Sequence, residues 1–290
     1  MIPIYIPTFN NPTYTSNFIS QLERFNLNKV TVVDNASTFP PMVKLLHEIS
    51  SKYELIRLNE NRGPHLLIRD LNYYEKLPNY FILSDPDIEI SRNIPEDFIN
   101  TLIEVSEEFK IGKVGLALAI PKEEELIEKF IYMDGEKRSL IEWEEQFWEN
   151  EVGKTSQGDS IFLTTLDTTF ALYNKKYFNL EDRYKSLRIG GRYTSKHLGS
   201  YAKTIVPQEE NEYYLSNTRY SYFAGKLNDD TSPVFEITVH EYTKMVEELD
   251  SLRVNNKNLA LNNIEQDRLI QGIFNSRTWK IIRLIKRIMR

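Results

Sequence analysis

Asp85 and Asp87, in the segment YFILSDPDIEI (80–90), are the residues whose spacing most demands a chemical explanation. Positions i and i+2 of an extended backbone project to the same side, so the two carboxylates repel unless something positive lies between them. Pro86 has no N–H to give to a ladder and disfavours the helical region for Asp85. The pair therefore sits at or just past the end of the strand that contains Phe81, Ile82 and Leu83. That is the edge at which open α/β sheets bind ligands.

Three more polar clusters follow apolar runs: PTFN (7–10), DNAS (34–37) and NENRGP (59–64). If the four runs are neighbouring parallel strands, all four clusters share one sheet edge and form a single polar crevice. Taken alone, Asp34 followed by Asn35 is an ordinary turn or helix cap. The four-cluster order changes that reading.

The elements that would position these residues follow from periodicity. Strands are predicted at IPIYI (2–6), KVTVVD (29–34), YELIRL (53–58) and YFILS (80–84), with helical segments at 12–24, 41–50 and 64–77 between them. A helix near 95–109 and a strand KVGLALAI (113–120) come next. Helical pieces around 123–131 and 139–150, and strands SIFLT and TTFALY within 160–173, follow. Residues 177–233 read as irregular and tyrosine-rich, and from about 236 the chain reads as helix. The expectation is an α/β, Rossmann-like fold with a mainly parallel central sheet and a C-terminal helical extension. The boundary is placed at 1–233 and 234–290.

At 290 residues, with 41% apolar and 12% aromatic side chains, the chain can bury a substantial core. It has no cysteine, which excludes disulfides, Cys-ligated zinc and thiol nucleophiles, and suits a reducing compartment. The start, MIPIYIPTFN, is too short an apolar run for a signal peptide or a spanning helix, so a cytoplasmic location is expected. Net charge is −6, yet the last fourteen residues, RTWKIIRLIKRIMR, hold six basic side chains and no acidic one. The acidic body argues against nucleic acid as a partner.

The ordered set IPTFN, VVDNAS, NRG and DPD resembles the nucleotide-sugar-dependent glycosyltransferases of the GT-A fold, in particular the large family 2 group of inverting enzymes. The resemblance covers roughly residues 2–120. It implies a nucleotide-binding half over 1–120 and an acceptor-side half over 121–233. By the same resemblance, Pro7 and Thr8 line the base and ribose pocket, Asp34 accepts from the base, and Asn61 and Arg62 reach the nucleotide. Asp85 takes ribose hydroxyls or bridges to metal, and Asp87 ligates a divalent cation held by the diphosphate. Hard oxygen ligands suit Mn2+ or Mg2+. In the second half LRIGGRYTSKHLGSY (187–201) is similar, more loosely, to a segment of a bacterial subgroup: His197 completes the metal site or touches diphosphate, and Arg188 and Arg192 neutralise phosphate. Arg69 stands where many family members have asparagine. For the general base Asp167 is favoured over Glu181 and Asp182.

The activity implied is inverting transfer of a sugar from a nucleoside diphosphate, UDP first, to a hydroxyl of a glycan or lipid-linked glycan acceptor, in surface polysaccharide or glycoconjugate synthesis. The alternatives are a non-catalytic GT-A-fold binding or scaffold subunit and a sugar nucleotidyltransferase. The latter normally carries a glycine-rich basic loop after its first strand, which IPTFNNPTYTS lacks. Trp143, Trp148 and the tyrosines of YYLSNTRYSYF (213–223) offer either sugar-stacking surfaces or packing. In the tail, Lys280, Arg283, Arg287 and Arg290 fall opposite Ile281, Leu284, Ile285 and Ile288. That is the pattern of a basic amphipathic helix suited to an anionic membrane surface, or to docking on the acidic body or on a partner subunit, a second copy of the chain included.

Overall fold

In the computed structural model, residues 1–126, 130–133, 136–166, 169–180, 185–201, 205–218 and 251 are described. Contacts divide the chain into two units, Met1–Phe235 and Glu236–Arg290. The second lies outside the described residues apart from Ser251, and with it the expected helical extension and its basic end.

The first four strands are β1 (Ile4–Thr8), β2 (Val30–Asp34), β3 (Glu54–Arg57) and β4 (Tyr80–Leu83). Between them lie α1 (Pro12–Arg24), α2 (Pro40–Ile49), α3 (Leu66–Arg69) and α4 (Leu71–Tyr74). Each of α1 and α2 starts with proline at its first turn, where the missing N–H costs nothing. The helical stretch expected over 64–77 is two short pieces. Asp70 between them is extended, and its carboxylate accepts from the N–H of Asn72, which ends one helix and caps the next.

Next come the short β5 (Ile88–Glu89), α5 (Phe98–Phe109) and β6 (Lys113–Leu116). Where 123–131 reads as helical, a single 3-10 turn at Glu123–Glu125 gives way to β7 (Phe130–Met133), paired antiparallel with β8 (Glu136–Ser139). The aromatic and β-branched run Phe130-Ile131-Tyr132 suits a strand better than a helix. Then follow α6 (Leu140–Glu145), β9 (Glu151–Lys154), β10 (Ser160–Thr164) and β11 (Ala171–Asn174). The region expected to be irregular holds β12 (Ser186–Ile189), β13 (Lys196–His197) and α7 (Gln208–Asn217).

Nine strands form one sheet in the order β3-β2-β1-β4-β11-β6-β12-β10-β9. The β3-β2-β1-β4 half is parallel throughout, as the strand–helix alternation predicts. Beyond β4 the sheet is mixed. β11 runs antiparallel to both β4 and β6, and β10 antiparallel to both β12 and β9, while the rest keep the common direction.

Helices cover both faces. Phe18, Ile19 and Leu22 of α1 and Phe98, Leu102 and Val105 of α5 recur at helical spacing and are buried, and Phe18 and Phe98 both meet Phe170 edge-on or tilted. On the other face Leu67, Ile68 and Leu77 pack with Phe81, Leu83, Tyr173 and Phe178. Phe81 and Tyr173 stack at 4.9 Å across the β4–β11 pair. Alternation along β4 therefore sends Phe81 and Leu83 to one layer and Ile82 to the other.

Candidate functional site

Parallel register sets Thr8 opposite Asp34 and Asp34 opposite Arg57, so the polar clusters after β1, β2 and β3 emerge together. The loops are then tied to one another. The Asn35 N–H donates to the Thr8 carbonyl at 2.9 Å, and the Asn10 N–H to Ser37 Oγ at 2.9 Å. Asn10 Oδ1 accepts from the N–H groups of Thr38 and Phe39 at 2.8 and 2.9 Å. Arg62 N–H donates to Asn35 Oδ1 at 3.2 Å, and Gly63 N–H to Asn61 Oδ1 at 3.0 Å. Gly63 has φ 77, a turn conformation open to glycine.

These loops and the Asp85-Pro86-Asp87 segment border an open cleft lined by Pro7, Thr8, Phe9, Asn11, Asn35, Asn61, Gly63, Pro64, Asp85, Pro86, Asp87, Tyr214 and Thr218.

At one end, Asp85, Asp87 and His197 each bring one ligand atom within 4.8 Å of the others. His197 arrives because β13 pairs antiparallel with β5, setting His197 opposite Ile88 next to Asp87. The Leu198 N–H, donating to the Asp87 carbonyl at 2.7 Å, closes the same corner. His197 Nε2 lies 3.1 Å from Asp87 Oδ2. Burial alone would lower the imidazole pKa, but the carboxylates of Asp87 and then Asp85 outweigh it and raise it to about 9. Asp87 Oδ1 is buried and has no hydrogen-bond partner. A buried carboxylate oxygen left without a donor is costly, and a divalent cation would satisfy it. Two carboxylates and an imidazole form a donor set that fits Mn2+ or Mg2+.

Tyr214 of α7 and Thr218 just after it also line the cleft. Glu210, which is buried, accepts from the Thr13 N–H at 3.0 Å and the Thr13 hydroxyl at 2.5 Å. Tyr213 stacks on Phe39 at 4.7 Å and its hydroxyl lies 3.0 Å from Thr38 Oγ1. Burial raises the Glu210 pKa, against the two Thr13 hydrogen bonds.

Of the residues singled out from the sequence, Pro7, Thr8, Asn61, Asp85 and Asp87 line the cleft, and His197 joins the carboxylates. Asp34 is fully buried behind the lining. Both its oxygens accept from the Ser37 N–H, and Oδ2 also takes the Arg57 Nε at 3.1 Å, while Asn35 faces the cleft in its place. The Arg62 guanidinium pairs with Asp70 at 3.1 Å. Arg188, on β12, is buried: it donates to Glu144 at 3.1 Å and to the Thr165 carbonyl, and lies over the Phe147 ring. Arg192 is paired with Asp159 and Gln157. Trp143 and Trp148 pack edge-on against Phe147 and Phe162. Asp167, Glu181 and Asp182 lie outside the described residues. Phe9, Asn11, Asn35, Tyr214 and Thr218 are lining residues that the sequence reading did not assign. The tyrosine density around 213–223 was the only signal for the last two.

No family model matches this chain, and no curated protein matches it. Among solved structures it is similar to a crystal structure of S. aureus TarS at 14% identity and TM-score 0.40, covering 77% of this chain and 41% of that one. It is similar to GalNAc-T7 crystallised with UDP, GalNAc and Mn2+ at 13% identity and TM-score 0.40, covering 86% and 54%. A third likeness, to HddC from Yersinia pseudotuberculosis, has 12% identity and TM-score 0.39, covering 73% and 97%. The chain spans about half or less of the TarS and GalNAc-T7 chains. Likeness at this level leaves the functional argument to the residues themselves. What fold and site define is an α/β protein with a carboxylate–imidazole cluster, a candidate cation site, at one end of a polar cleft. Among the described residues no helix is long and apolar enough to cross a membrane.

Proposed function

We propose that the chain is an inverting glycosyltransferase that moves a sugar from a nucleoside diphosphate, UDP in the first instance, onto a hydroxyl of a glycan acceptor. The observation that carries the reading is the convergence of Asp85, Asp87 and His197 at the end of the cleft, with the buried Asp87 Oδ1 lacking a partner. Asp85, Asp87 and His197 would hold Mn2+ or Mg2+, which when bound supplies positive charge to the departing diphosphate. The resemblance of the ordered motifs to the family 2 transferases supports the donor class.

The chemistry is a single in-line displacement. The acceptor oxygen forms its bond to the anomeric carbon as the bond from that carbon to the diphosphate oxygen breaks, and the nucleoside diphosphate leaves with the electron pair. The acceptor proton passes to a carboxylate base, for which Asp167 is proposed. The hydrogen-bonded loop network around Asn10 and Asn35 would hold the donor side of the cleft in place, so that alignment is set before reaction.

Calorimetric titration of nucleotide sugars with and without Mn2+, followed by product analysis, tests the proposal. Expected are Mn2+-dependent binding of one donor class, slow donor hydrolysis, and loss of transfer with retained donor binding in Asp167→Asn. Binding and turnover undiminished by EDTA would overturn it. Tight donor binding with no hydrolysis or transfer to any hydroxyl acceptor would favour a binding subunit.

A further inference from the structure

Helix α7 contributes Tyr214 to the cleft lining, and it is anchored at two points. Glu210 places a buried carboxylate on the first turn of α1, where free N–H groups and the helix dipole favour an anion. Asn11, at the cap position of α1, is spent elsewhere: its Oδ1 accepts from the Thr8 hydroxyl and the Phe9 N–H. Glu210 thus does the capping from a distant part of the chain. Tyr213 supplies the second anchor through Phe39 and Thr38. Tyr214, next in the chain after the second anchor, lines the cleft. It and Phe9 are the two aromatic rings in the lining, with centroids 6.4 Å apart and planes inclined at 60°.

If the carboxylate–imidazole cluster marks the diphosphate end, the nucleoside must run from β4 across the end of β1 toward β2 and β3. Neighbouring strands are about 4.8 Å apart, so its base or ribose lies over the β1–α1 loop, where Tyr214 meets Phe9. We infer that Tyr214 contacts the nucleoside of the donor with its ring, and that Glu210 is a positioning residue that holds Tyr214 there through Thr13. The inference rests on the reading of the cleft as a nucleoside-diphosphate site.

Titrating UDP, GDP and dTDP in Mn2+ into the full chain and its variants tests it. Tyr214→Ala should raise the Kd of the preferred nucleotide by about tenfold, the scale of one base–aromatic stack, with Mn2+ affinity alone unchanged. Tyr214→Phe should bind as the wild type does, and Tyr214→Leu, which keeps apolar bulk, should behave like Tyr214→Ala. Glu210→Ala should weaken binding by no more than Tyr214→Ala does, and the double variant no more than Tyr214→Ala alone, because the latch acts through the ring. Equal affinity in wild type and Tyr214→Leu overturns the contact. Additive losses in the double variant overturn the positioning role. A wild type that binds no nucleoside diphosphate removes the functional reading and this inference with it, a result distinct from equal binding by wild type and variant.

Discussion

Nε2 of His197 lies 3.1 Å from Oδ2 of Asp87 although most of the sheet is laid down in the chain between them. The contact exists because the two-residue strands β5 and β13 pair antiparallel, setting His197 opposite the residue after Asp87. The pair makes up two of the three residues of the candidate cation site, and Asp85 is the third.

Asp87→Asn and His197→Gln test that site separately. Each should lower Mn2+ affinity by at least about tenfold, since even partners one shell further out cost that much when removed. Electron paramagnetic resonance titration of free Mn2+ measures it. Wild-type affinity in His197→Gln would reduce the imidazole to a counter-charge for Asp87.

Arg188 is engaged as a structural cation, buried between Glu144 and Phe147. Arg188→Ala leaves Glu144 without its partner and should destabilise the fold by about 3–5 kcal/mol. Urea unfolding measures the loss. The fraction that remains folded should bind nucleotide as the wild type does; weaker binding at equal stability would return Arg188 to the phosphate.

Acid stability offers a third test. The hydroxyl of Tyr177, the Lys176 ammonium and the hydroxyl of Tyr80 hold Glu107 at a pKa of about 2 against an ordinary 4.5. A depressed carboxylate contributes stability above 4.5 and loses it as pH falls toward 2. Chemical denaturation across that window should show a shallower decline in Glu107→Gln than in wild type. Parallel curves would mean that these contacts do not discriminate between the charged and neutral acid.

For the tail, RTWKIIRLIKRIMR, we propose from its pattern of basic and apolar residues a salt-sensitive hold on anionic membranes, with each basic residue worth about 1 kcal/mol near the surface. Sedimentation with anionic vesicles should capture the full chain and not a variant lacking residues 277–290. Equal capture by neutral vesicles, or by the shortened chain, would defeat the proposal.

The parallel half was legible residue by residue because its signals are local. Alternating apolar runs, proline at helix starts and polar clusters at strand ends each act within a few positions, so β1 to β4, α1 and α2 fall close to where the sequence sets them. Asp85, Asp87 and the cleft edge come with them. The 64–77 helix failed at Asp70, whose side chain caps a new helix start, a competition decided by one hydrogen bond to the Asn72 N–H. The 123–131 segment failed because charged residues at 123–125 hid the strand run that begins at Phe130.

What the sequence determined by itself, then, was an α/β chain with four polar strand ends on one edge and a carboxylate pair among them. Which partner each polar side chain meets was decided only in three dimensions. The parallel register that sets Arg57 opposite Asp34 commits that carboxylate to its neighbour strand. The reversal of β11 and β10 lets the chain return so that β12 lies beside β6, where Arg188 meets Glu144. Pairing of β13 with β5 delivers His197 to Asp87, and one buried hydrogen-bonded carboxylate, Glu210 on Thr13, sets Tyr214 over the cleft. None of these is encoded by neighbours in the chain: a side chain's own sequence context sets its backbone, but its charge and hydrogen bonds are satisfied by whatever the long-range strand pairing brings within 3 Å or so.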